Sequence, residues 1–170
     1  VADCHRAVAA VMRTFGKIDI LVNSAGIWEY GAIGAISVRD WERNIAINLN
    51  GTFFMCQAVV PKMKKRHYGR IINVSSTAGQ RGEAFHAHYA ASKGGVLALT
   101  RSMAVELIRD GIWVNSIAPG WVDTDMVSDV MKKQKRKISA SIPRGCIATP
   151  EEIAGPILFL ASNLANHLVG

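Results

Sequence analysis

The 170-residue chain is 49% apolar and 19% charged. That is the balance of one globular domain with a real core, and it excludes a disordered tail. No apolar run approaches the roughly 20 residues of a membrane span. The net charge of +7 gathers in two clusters, Lys62/Lys64/Lys65/Arg66/His67 and Lys132/Lys133/Lys135/Arg136/Lys137. Nucleic acid, a phosphate-bearing cofactor, an acidic protein and a merely solvated face are all open readings of such runs.

Residues 1–17 read as the end of a helix that is already under way at Val1, with no basic-then-apolar leader before it. Ile18 to Val22 is a short apolar strand ending in Asn23-Ser24-Ala25-Gly26. A helical pattern follows from Val38 to Lys65, with Trp41, Ile45, Leu49, Phe53 and Val60 near helical spacing. Arg70 to Val74 is a second strand, ending in Ser75-Ser76. Ala87 to Arg109 is a second long helix, with Val96, Leu99, Met103 and Leu107 three or four apart and Gly111 as its stop. Trp113 to Ile117 is a third strand, ending in Ala118-Pro119-Gly120. The stretch 124–145 is polar, basic and poorly periodic, and is expected to form a mobile loop or short helices over the site, as a lid does. A last helix begins at Thr149, with Pro150 in its first turn and Glu151 and Glu152 at its positive end.

Short apolar strands alternating with helices predict an α/β fold, a doubly wound parallel sheet in a single domain over residues 1–170. In such sheets the ligand crevice lies off the carboxyl ends of the strands, so all three strand endings point at one site. Three scattered cysteines, Cys4, Cys56 and Cys146, form no metal-ligand spacing. No metal is expected, and a reduced cytoplasmic compartment is the default.

Chemistry is expected at Tyr89 and Lys93. Four residues apart on a helix, they share a face, and an ammonium there would favour the tyrosinate and poise the phenol for proton exchange near neutral pH. Ser76 stands just past a strand, where its hydroxyl could bond the reacting oxygen; no Gly-x-Ser-x-Gly elbow makes it a nucleophile. His86 and His88 flank Tyr89 and are expected to project away from it, to the surface or a substrate rim.

These residues sit in a wider pattern. Asn23-Ser24-Ala25-Gly26, Asn48-Leu49-Asn50-Gly51, Ile72-Asn73-Val74-Ser75-Ser76, Tyr89 to Lys93, Val114-Asn115 with Pro119-Gly120 and Thr124, and Pro150-Glu151-Glu152-Ile153-Ala154 stand in this order along the chain. Together they resemble the motifs of the short-chain dehydrogenase/reductases, and most nearly the branch of 3-oxoacyl-carrier-protein reductases. The resemblance implies a Rossmann-like fold and hydride transfer between NADP or NAD, NADP being favoured, and a carbonyl or secondary alcohol. It implies Tyr89 as general acid/base, Lys93 as the group that tunes Tyr89 and binds the nicotinamide ribose, and Ser76 as the holder of the substrate oxygen. Asn48 would break its helix so that its carbonyl holds a water leading from Lys93 to solvent. Asn23, Ala25, Gly26, Pro119, Gly120, Val122 and Thr124 would line the cofactor.

By the same resemblance the fold is incomplete here. The opening strands with their glycine-rich phosphate turn and the final strand lie outside these residues, so residues 1–170 alone are expected to bind cofactor poorly. Ser24 replaces the family's second asparagine. The implied partners are a small carbonyl or alcohol substrate and an acyl carrier protein met by Lys64, Lys65 and Arg66, with neither nucleic acid nor membrane. A homotetramer built on helices 38–65 and 87–109 is expected, with a dimer as the alternative. A dehydrogenase of a sugar, polyol, steroid or cyclic alcohol and a non-catalytic nucleotide-binding scaffold are the competing functions.

Overall fold

A computed structural model describes all 170 residues, Val1–Gly170. Three parallel strands, β1 (Ile20–Asn23), β2 (Gly69–Val74) and β3 (Ile112–Ile117), are ordered β1-β2-β3, with Ile20 opposite Arg70 and Arg70 opposite Trp113. Their side chains alternate between two faces. Leu21, Ile71, Ile112 and Val114 pack against α1 (Ala2–Phe15), α3 (Gly51–Lys64) and α5 (Ala87–Leu107), forming the main core with Val8, Val59, Met63 and Met103.

On the other face lies α7 (Pro150–Ala161), begun by a capping box between Thr149 and Glu152. Arg70, only 1% exposed, points to this side. It stacks 4.8 Å from Trp113 and donates to the Leu160 carbonyl and to Asn163 and Asn166. Helices on both faces of a parallel sheet make the expected doubly wound architecture. No helix is long and apolar enough to cross a membrane, and no cluster of three metal-ligating side chains occurs.

One element carries the interruption that the resemblance implied at Asn48, and another departs from the sequence expectation. The rod from Val38 is helical throughout but changes gauge: α2 (Val38–Asn44) passes into a π-helical turn, Ile45–Asn50, before α3. The segment expected to be a loop or short helices contains a 14-residue helix, α6 (Ser128–Ser141), preceded by the 3-10 turn Asp125–Val127. Its anchors, Met131 and Ile138, are buried seven residues apart. Two apolar contacts in a basic stretch suffice to pin a helix, though they leave little periodicity to read.

The short helix α4 (Thr77–Arg81) lies directly on α5. At the crossing, a Cβ on Gly79 would stand 2.6 Å from the Lys93 carbonyl carbon and 2.7 Å from the Gly94 nitrogen. Both obstacles are backbone, so neither can swing aside. Gly79→Ala is therefore expected to destabilise the fold by about 1–3 kcal/mol through overpacking. Urea unfolding measures this, and a wild-type midpoint would show that the two helices are not in contact there.

Candidate active site

The carboxyl ends of all three strands open on one cavity of about 650 Å³. The turn after β1 brings Ser24, Gly26 and Trp28; the end of β2 brings Val74 to Ala78; the turn after β3 brings Pro119 to Val122. Tyr89 and Lys93 reach the cavity from α5, Thr124, Met126 and Val127 from the turn before α6, and Ile153 and Ile157 from α7.

Ser76, Tyr89 and Lys93 thus share one cleft. Ser76 caps α4, its hydroxyl accepting from the Ala78 N–H at 3.1 Å, and it lies near enough to the Tyr89 phenol to oppose the effect of burial on it. Lys93 is 4% exposed and meets no carboxylate; its ammonium donates to the Val74 carbonyl at 2.8 Å. Ser75 in turn donates to the Lys93 carbonyl at 2.8 Å.

The remaining residues of the expected set divide. Gly26, Pro119, Gly120, Val122 and Thr124 line the cavity, and Asn23, Ala25 and Asn48 do not. Asn23 turns into the interior, donating to Asn73 at 2.9 Å, while Asn73 donates to Thr100 at 2.9 Å. This polar ladder ties β1 and β2 to α5. Asn48 is fully buried. Its side chain accepts from the Ile27 N–H at 2.8 Å and donates to the Ile27 carbonyl and to Ser92, each at 3.0 Å. The Asn48 carbonyl accepts from Thr52 at 2.9 Å, and Ser92 donates to the Tyr89 carbonyl at 2.7 Å. Asn48 thereby joins the rod, the turn after β1 and the helix of Tyr89.

Three electrostatic expectations need correction. Burial, opposed by the Ser76 hydroxyl, holds the Tyr89 phenol above its ordinary value. The Lys93 ammonium sits 5.9 Å from the tyrosine ring centroid and is committed to Val74; it is not what sets the phenol here. Burial instead pushes Lys93 itself down to about 8. The histidines are not at the surface. His86 stacks on Trp28 with centroids 4.3 Å apart and planes 8° off parallel, and His88 is 1% exposed, because the loop at Gly31 bonds to Phe85 and covers the start of α5. Lastly, in the first basic cluster Lys64 pairs with Asp110 at 2.8 Å and Arg66 with Asp19 at 2.7 Å. Two of the three cations expected to meet a carrier protein are already neutralised.

Sequence reasoning missed Trp28 and Trp121 in the cavity wall. For the tryptophans a signal was present: Trp28 stands two residues after Gly26, and Trp121 follows Gly120, each just past a strand ending already read as part of the site.

The Lys93 shift has a consequence for stability. The unfolded chain keeps this ammonium to about 10.5, while the folded chain begins to release its proton at about 8. Between those values the unfolded state binds more protons, so stability rises with pH, by up to about 3 kcal/mol; below 8 the full cost of burial is present. Lys93→Met removes this titration. The stability difference between wild type and K93M is expected to move in favour of the wild type by up to about 3 kcal/mol from pH 7 to pH 10. Urea unfolding at the two pH values measures it, and a difference independent of pH contradicts the burial.

A family model described as enoyl-(acyl carrier protein) reductase matches residues 1–170, the whole chain. Nodulation protein G of Azospirillum brasilense is 40% identical over 168 residues, 99% of this chain and 68% of that protein. The 3-oxoacyl-(acyl-carrier-protein) reductase FabG of Aquifex aeolicus is 38% identical over 166 residues, 98% of this chain and 67% of that protein. Among solved structures, a short-chain dehydrogenase/reductase of Brucella melitensis, described as a glucose/ribitol dehydrogenase, superposes with a TM-score of 0.91 at 35% identity, covering 98% of this chain and 67% of that one. The chain thus spans about two thirds of the length of these relatives. With the family's fold, and with relatives at this level of identity along almost every residue, the chain belongs to the short-chain dehydrogenase/reductase family.

Proposed function

We propose that the protein reduces the ketone of a 3-oxoacyl thioester with NADPH or NADH. The observation that carries this reading is the convergence of Ser76, Tyr89 and Lys93 on one cavity at the strand ends. The wall also suits the ribose and nicotinamide end of such a cofactor. A Cβ at Gly26 would stand 3.1 Å from the Asn48 amide oxygen and 3.3 Å from the Lys93 ammonium, space that only glycine leaves free, and nothing lies within 4 Å of one at Gly120. When bound, the nicotinamide supplies the hydride.

The chain's own residues do the rest. The Ser76 hydroxyl and the Tyr89 phenol hold the carbonyl oxygen between them, and the phenol gives that oxygen its proton as the alkoxide forms. Burial, opposed by Ser76, holds that phenol above its ordinary value, so it reaches the substrate carrying the proton it gives. Lys93, charged below about 8, presents a cation to the ribose hydroxyls. Asn48, anchoring Ile27 and Ser92, acts by position.

The names of the FabG relatives support the acyl substrate. Lys133, Arg136 and Lys137 on α6, the helix following the cavity turn, have no carboxylate partner and offer an acidic carrier a positive surface. NADP in preference to NAD, a cytoplasmic setting and a homotetramer, with a dimer as the alternative, complete the proposal. Phe53 on α3 and Val105 on α5, 41% and 78% exposed, support pairing of these helices with symmetry mates.

Tyr89→Phe is expected to lower kcat/KM for acetoacetyl thioester reduction by about 10²- to 10⁴-fold, the contribution of a positioned proton donor. Following NADPH absorbance measures this. Undiminished turnover would remove Tyr89 from the chemistry, and a wild type that reduces no carbonyl at all would be a non-catalytic nucleotide-binding scaffold. Refusal of the thioester with acceptance of a sugar, polyol, steroid or cyclic alcohol would move the substrate and keep the chemistry.

A further inference from the structure

The cavity that holds Tyr89 also carries an aromatic corner. Trp28 and Trp121 both line the cavity, with centroids 5.7 Å apart and planes at 78°. Trp28 is half-buried and braced by its surroundings. Its own neighbours in the chain are fastened to the rod: Ile27 by Asn48, and Glu29 by Arg43 at 2.6 Å and Asn44 at 2.8 Å. One face of the indole is covered by the parallel His86 ring, and its N–H donates to Glu83 at 3.3 Å.

This arrangement has a cost. Phe85 adopts a positive φ of 64° that a bulky side chain seldom takes, in the same loop that brings His86 under Trp28. His86 Nε2 is buried without a partner. Strained backbone and an unsatisfied buried group persist where function over-determines them. Apolar burial alone would not require a fixed right angle between two indoles.

We propose, resting on the reading of this site as a ketone reductase, that the Trp28–Trp121 corner selects substrates whose reacting carbon bears an aryl ring. A flat ring lies on one indole and meets the other edge-on, the geometry that aromatic pairs favour beyond the area they bury. A linear acyl tail gains only area and loses the freedom of its rotors on being fixed. Because Trp28 is braced by His86 and Glu83 before binding, the ring meets a surface already in place and pays little to lie on it.

The test compares two thioesters with six-carbon substituents on the ketone, 3-oxo-3-phenylpropanoyl- and 3-oxononanoyl-N-acetylcysteamine, reduced by the whole protein with NADPH and with NADH. The phenyl substrate is expected to show at least tenfold higher kcat/KM. Trp28→Ala is expected to reduce that ratio at least fivefold, and Trp28→Phe to keep most of it. A linear substrate used equally well or better by the wild type overturns the proposal, as does a ratio that Trp28→Ala leaves intact. Refusal of both thioesters with either cofactor overturns the reductase reading itself, and the ring preference falls with it.

Discussion

A lysine buried without a carboxylate is the constraint on which the site is built. Desolvation alone pushes Lys93 down to about 8, and an ammonium in such surroundings is tolerated only with its donors directed at fixed acceptors. The central strand supplies one at its last residue, the Val74 carbonyl, and the next residue returns a bond from Ser75 to the Lys93 backbone. Gly79 then lets α4 lie against that same backbone. Strand end, serine turn and catalytic helix are therefore one locked unit, and Ser76 and Tyr89 meet because both belong to it. The positive charge that costs folding energy is the same charge that the proposed reaction would present to a ribose and a developing alkoxide.

The sequence displayed this unit well. Parallel strands reveal themselves as continuous apolar runs because both faces are covered, and the three strands lie within two residues of the expected bounds. The four-residue step from Tyr89 to Lys93 and the small residues at each strand end were legible for equally local reasons. What could not be read was the sign of the balance at Tyr89. A spacing shows that a cation is near a phenol; it does not show that the cation bonds a carbonyl elsewhere, or that desolvation outweighs it. The basic cluster at Lys64 and Arg66 misled in the same way, since Asp110 and Asp19 lie 46 and 47 positions away along the chain and only folding brings them together.

The aromatic corner was hidden for a different reason. It joins loops around residues 28 and 121 that share no pattern, and a third loop, around residue 86, braces Trp28 through the Gly31–His86 bridge, the bond to Glu83 and the stacked pairs Trp28–His86 and Tyr30–Phe85. Periodicity reports one face of one element; a wall made by two loops has no period. Such loops on a rigid α/β scaffold are where members of one fold acquire different substrates.

The π turn connects these two regimes. Asn44, Asn48, Thr52 and Cys56 are buried and spaced strictly by four. In a regular α-helix each step of four advances about 40° around the axis, so by Cys56 the row would have turned well away from its starting direction. A wider turn at Ile45–Asn50 removes part of that drift. The start of the row can then grip the loop at Ile27 and Glu29, while its end faces the core beside Val59 and Met63. One rod thus serves two masters, the packed sheet and the loop carrying Trp28, and a uniform helix could align with only one of them. The π turn is the local irregularity that lets one rod meet both the packed sheet and the loop carrying Trp28.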